Sequence, residues 1–75
     1  MSKTNISNQI RKLRFNHGEM TQQELANKIG VTRQTINHIE TGKYSPSLEL
    51  AFRIARVFDM PLEEVFHYEP EKPGK

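Results

Sequence analysis

Residues 22–41, QQELANKIGVTRQTINHIET, constrain the fold more than any other part of this chain. Ala26, Gly30, Ile36 and Ile39 follow one another there at offsets of 4, 6 and 3. That spacing suits two helices joined by a tight turn. Ala26 is small where a second helix must cross closely. Gly30 can take the positive φ that ends the first helix. Ile36 and Ile39 lie three apart, so they share one face of the second helix and can pack back on the first. Arg33, Gln34, Asn37 and His38 are long or polar and mostly face away from that core. An apolar back with a hydrogen-bonding front is the form of helix that reads the DNA major groove.

The flanking segments extend this helical pattern. Thr21 with Glu24 three residues on forms a capping box, and the helix it opens runs to about Ile29. Thr32 caps the next helix, which ends at Thr41 before Gly42. Upstream, Ile6, Ile10 and Leu13 recur at i, i+4 and i+7, which predicts an amphipathic helix over roughly 6–15, broken by Asn16-His17-Gly18. Pro46-Ser47 opens a fourth helix with Leu50, Ala51, Ile54, Ala55 and Phe58 along one face. Pro61 suits the first turn of a short fifth helix, where Glu63 and Glu64 favour the positive dipole end and Leu62, Val65 and Phe66 form the inner face. No segment reads as a strand. The expected core is Ile6, Ile10, Leu13, Leu25, Ala26, Ile29, Val31, Ile36, Ile39, Leu50, Ile54, Phe58, Leu62, Val65 and Phe66. Tyr44, Phe52 and Tyr68 fall outside these inward faces, and Phe15 is off the pattern.

Composition narrows the function classes. A chain of 75 residues is one small domain, able to bury only about 60% of its unfolded surface. It has no cysteine, which removes disulfides and thiolate zinc sites and fits a reducing cytoplasm. The N-terminal Met1-Ser2-Lys3-Thr4-Asn5 leads into no apolar run, so no signal peptide is expected. No stretch approaches the roughly 20 apolar residues of a membrane span. The charge is unevenly placed. Up to Ser45 there are seven Lys and Arg residues against three Glu, whereas from Pro46 onward four basic residues face six acidic ones. The part holding the helix pair is therefore basic, as a phosphate-facing surface requires.

Catalysis finds no support. There is no Ser/His/Asp or Cys/His set and no glycine-rich phosphate loop, and the adjacent Glu63 and Glu64 point to different helix faces. His17, His38 and His67 are far apart in sequence and lack the spacing of metal ligands. Arg33 and Gln34 begin the third helix and have the forked hydrogen-bonding geometry that matches guanine and adenine edges. His38, on or near the same face, suits a base edge or a phosphate. Gln22 follows its cap, where free N–H groups of a helix N-terminus and the side-chain amide can meet a phosphate. Asn37 suits a flanking or phosphate contact, and Lys43 and Tyr44 lie where they can brace the DNA backbone.

The ordered set resembles the helix-turn-helix of the phage-repressor (Cro/C1, XRE-like) regulators. Thr21-Gln22 opens the first motif helix as in that family. Ile39-Glu40-Thr41-Gly42-Lys43, followed by Pro46-Ser47, resembles its IExGKxxPS ending. The resemblance covers roughly residues 6–67. One departure is His17-Gly18-Glu19-Met20, one residue longer than the usual xGLT, which the loop is expected to absorb.

The resemblance implies an all-α, compact five-helix bundle of the lambda-repressor-like type over residues 1–68, with a flexible tail at 69–75. It implies a small transcriptional regulator, in the first instance a repressor, whose third helix (about 32–41) enters the major groove of a palindromic operator. Base reading then falls to Arg33, Gln34 and His38. Backbone binding falls to Gln22, Thr32, Thr35, Asn37, Lys43 and Tyr44. Arg14 and Glu40 form a structural ion pair between the first and third helices. The implied partners are double-stranded DNA and a second copy of the chain, in the cytoplasm, with no cofactor, metal or membrane. Similar domains also serve as protein-interaction modules, as antitoxins that hold a toxin or as transcription adaptors, and that is the competing class.

Overall fold

The computed structural model describes residues 5–69. The helices are α1 (Ile10–Asn16), α2 (Gln22–Ile29), α3 (Arg33–Glu40), α4 (Leu48–Val57) and α5 (Leu62–Val65). Two short strands, β1 (Ile6–Asn8) and β2 (Phe66–Tyr68), bracket them.

The helix starts follow from local capping chemistry. The Thr21 hydroxyl accepts from the Glu24 N–H, and the Glu24 carboxylate accepts from the Thr21 N–H, a reciprocal box that satisfies two otherwise orphaned donors. Thr32 and Ser47 cap α3 and α4 one way only, their hydroxyls accepting from the N–H groups of Thr35 and Leu50. At the end of α2, Gly30 is left-handed with φ of 78°, and its N–H and that of Val31 both donate to the Ala26 carbonyl. The turn to α3 is thus complete in three residues. Gly18 and Glu19 are both left-handed, with φ of 74° and 56°. These two consecutive residues turn the longer His17–Met20 connection back into α2.

Ile10, Leu25, Ala26, Ile36, Ile54 and Val65 are fully buried, and Leu13, Ile29, Ile39, Ala55 and Phe58 join them in a single core. Burying one such aliphatic side chain contributes about 1.5–3 kcal/mol, so this core is the main source of stability. Val31, Leu50, Leu62 and Phe66 pack on its rim. Ala51 and Ala55 are buried as well, on the face of α4 that the sequence pattern turns inward.

The start of the chain departs from the helical expectation. The predicted helix over 6–15 begins only at Ile10, and residues 6–8 form β1. β1 pairs antiparallel with β2 in the register Ile6↔Tyr68, Ser7↔His67 and Asn8↔Phe66. The ladder continues on both sides, as Gln9 N–H donates to Val65 O and Glu69 N–H to Asn5 O. Ile6 therefore sits half-buried in a strand and not one turn before Ile10 on a helix. Pro61 sits at the N-cap of α5 and not within its first turn. Of the tail expected to be flexible, residues 70–75 lie outside the described residues.

Candidate DNA-binding surface

The second motif helix presents one polar face. At about 100° per residue, Arg33, Asn37, Gln34 and His38 fan across the side of α3 away from Ile36 and Ile39. Arg33, Gln34 and His38 are exposed, and Asn37 is half-buried. No side-chain hydrogen bond within the described residues engages Arg33, Gln34 or His38. Their donors and acceptors are therefore free for a partner.

The residues around this face fall into two groups. Thr32 and Thr35 are occupied with each other, their hydroxyls 2.9 Å apart while Thr32 caps the helix. Thr32 is exposed and Thr35 half-buried. Lys43 and Tyr44 follow α3 and are exposed. Their N–H groups donate to the His38 carbonyl at 2.9 and 3.2 Å, which folds the loop back under the helix end and fixes where both side chains start.

Gln22 is placed differently. Its side-chain Nε2 donates to Asn37 Oδ1 at 3.2 Å and to Glu40 Oε1 at 3.1 Å. Both amide hydrogens are used within the protein, so the groups left facing outward at the start of α2 are backbone N–H groups. Thr21 and Glu24 have their N–H groups capped, whereas those of Gln22 and Gln23 have no partner among the described residues. The unpartnered N–H groups carry the positive end of the helix dipole.

Arg14 and Glu40 meet as the resemblance implies. Arg14 Nε donates to Glu40 Oε2 at 2.6 Å and Nη2 to Oε1 at 3.0 Å, while Nη1 donates to the Met20 carbonyl at 2.8 Å. The two side chains are 14% and 7% exposed, so water competes little for the pair. One guanidinium thereby joins α1, the loop before α2 and the end of α3.

Two further polar side chains that the sequence reading did not single out serve the same frame. Asn8 accepts from the Ile10 N–H and donates to the Ile39 carbonyl, linking the start of α1 to the last turn of α3. Arg53 Nη1 donates to the Ile29 carbonyl, satisfying the C-terminal end of α2. The Asn8–Ile10 contact is a local one, two residues along the chain, whereas the contacts to the Ile39 and Ile29 carbonyls span 31 and 24 residues and only the folded arrangement reveals them.

The polar face continues past Arg33 into an open groove of about 1000 Å³ between α1 and the start of α2. Arg11, Lys12, Phe15 and Gln23 line it with Arg33. The exposed Phe15, which had no place in the helical pattern, belongs to its wall.

Comparison with known proteins agrees with this geometry. The helix-turn-helix family model HTH_3 matches residues 10–65. An uncharacterized HTH-type transcriptional regulator of Archaeoglobus fulgidus is 52% identical over 63 residues, covering 84% of this chain and 89% of that protein. A second, of Methanocaldococcus jannaschii, is 48% identical over 67 residues, covering 89% of this chain and all of that one. Among solved structures, the restriction-modification controller protein of Aeromonas hydrophila superposes with a TM-score of 0.67 at 29% identity, covering 73% of this chain and 82% of its own.

Proposed function

The chain belongs to the helix-turn-helix (HTH_3, XRE-like) family of DNA-binding transcriptional regulators, and from that premise we propose that it recognises a palindromic operator as a homodimer, with α3 in the major groove. The observation that carries the reading is the polar face of α3. Three long polar side chains stand exposed and unengaged on a helix whose opposite side is locked into the core by Ile36 and Ile39. A rigid helix with free forked donors is the arrangement that base-edge recognition needs.

Arg33 and Gln34 lie in the first turn of α3, the part that goes deepest into the groove in this mode of docking. They read base edges, with His38 one turn further along. The backbone N–H groups of Gln22 and Gln23 and the Lys43 ammonium hold the phosphates on either side, and Tyr44, Thr32 and Thr35 flank them. One half-site offers a 75-residue domain too few base contacts to stand out from non-specific sequence, so a second copy is required. Phe52 and Leu48 lie one turn apart on α4 and are at least half exposed, as is Tyr68 on β2. This apolar surface is the candidate dimer contact. The sign of regulation then follows from where the operator lies relative to the promoter, repression resulting where the two overlap.

Selection of bound duplexes from a random pool tests the reading. The expected result is an enriched palindrome with half-site centres about 10 base pairs apart. Enrichment of no sequence would overturn it.

A further inference from the structure

The hydrogen bonds beneath α3 run in a single permitted direction, and that direction reaches Asn37. Arg14 is a donor only and an ionised carboxylate is an acceptor only, so the Arg14–Glu40 pair orients the first link without ambiguity. The Gln22 amide group nearest Glu40 Oε1 must then be its NH2, because an amide oxygen there would face a carboxylate oxygen. The same NH2 lies 3.2 Å from the Asn37 side chain, so the Asn37 atom it meets must be the oxygen, Oδ1. The order Arg14, Glu40, Gln22, Asn37 thus fixes which way the last amide faces. Its oxygen is turned in toward α2, and its NH2 is turned away with no partner among the described residues.

Asn37 also stands in the row that faces outward. Around the helix it falls between Arg33 and Gln34, at about 40° from the first and 60° from the second. The residue therefore shares a face with the two forked side chains, and its NH2 is the amide group not held against Gln22.

We propose that Asn37 is a further specificity-determining residue, oriented by Gln22 so that it leads with its NH2 donor and selects guanine. Guanine presents two adjacent acceptors, N7 and O6, in the major groove. Adenine is read by an asparagine that supplies one donor and one acceptor together, and here the oxygen is drawn toward Gln22 Nε2, which leaves the NH2 as the leading group. An unlocked asparagine prefers adenine, so Gln22 changes the base that Asn37 recognises without itself touching it. This rests on the reading of α3 as the groove helix.

The test compares duplexes selected from a random pool by the full chain, by Asn37→Ala and by Gln22→Met. Melting curves first establish that each variant is folded. The unaltered protein is expected to select guanine at the position under Asn37. Asn37→Ala should flatten that position alone and weaken the selected site about ten-fold. Gln22→Met, with Asn37 intact but released, should raise adenine there several-fold. A duplex carrying 7-deazaguanine at that position, which lacks the N7 acceptor, should lose affinity for the unaltered protein and not for Asn37→Ala. This arm holds even if Gln22→Met fails to fold.

Adenine at that position in the unaltered site would overturn the inference, as would an Asn37→Ala loss equal on all sequences. An unchanged base preference in folded Gln22→Met would overturn the lock. A consensus that Asn37→Ala leaves intact sinks this inference alone. No consensus for the unaltered protein sinks the DNA-reading account with it.

Discussion

Arg14 holds Glu40 by two parallel hydrogen bonds, Nε to Oε2 at 2.6 Å and Nη2 to Oε1 at 3.0 Å, which ties α1 to the end of α3. Planar fork geometry makes this pair specific as well as strong, and a lysine has no equivalent. Its position matters for the polar face. Glu40 also accepts from Gln22, so loosening the pair loosens the support beneath Asn37.

Removing either partner leaves a mostly buried charge without its complement. Arg14→Ala and Glu40→Ala should each cost about 3 kcal/mol in urea unfolding, well above a surface ion pair. The double variant should lose much less than the sum. Additive losses would mean that the two side chains act independently.

Gly30 gives a second test, this time of the turn between α2 and α3. A Cβ built there meets nothing within 4 Å, so a substitution carries no steric clash, only the left-handed φ of 78°. Gly30→Ala should therefore cost about 1–2 kcal/mol, and Gly30→Asn less, because asparagine tolerates this region. Glu19 already occupies a left-handed conformation without being glycine. Glu19→Gly should gain up to about 1 kcal/mol, the relief of strain being partly offset by a freer unfolded chain. A Gly30→Ala protein as stable as the parent would show that the turn takes another backbone form.

The local chemistry of the sequence accounts for most of the frame. Thr21 with Glu24, Thr32 and Ser47 each cap a helix through contacts three residues away, and such short-range patterns are visible in the chain itself. Ile36 and Ile39 mark the buried side of α3 for the same reason. The strand pair was not legible. Ile6, Ile10 and Leu13 satisfy a helical period, but the partner that makes residues 6–8 a strand lies about sixty residues away, and three residues are too few to display a two-residue alternation. Gln22 shows the same limit within the site. Its position at a helix start suggested a side-chain donor for phosphate, whereas the fold places Asn37 and Glu40 within reach and engages both amide hydrogens.

The dimer contact makes a third prediction. Phe52 is 50% exposed on the outer face of α4, so Phe52→Glu should leave the melting temperature of the free protein nearly unchanged. On a palindromic duplex, sedimentation should show two copies of the parent protein per site and weakened, less cooperative occupancy for the variant. One parent copy per palindrome would remove the dimer from the account.

The most direct measurement separates the residues that read bases from those that hold phosphates. Binding of Arg33→Ala, Gln34→Ala and Lys43→Ala is compared on the selected site and on a scrambled duplex at several salt concentrations. Arg33→Ala and Gln34→Ala should each cost about 1–3 kcal/mol on the selected site and shrink the ratio of selected to scrambled affinity. Lys43→Ala should weaken both duplexes alike and lower the salt slope by about one unit, as expected of a point charge on a phosphate. If the ratio is the same for Arg33→Ala and Gln34→Ala as for the unaltered protein, α3 does not read the operator, and the central claim is contradicted.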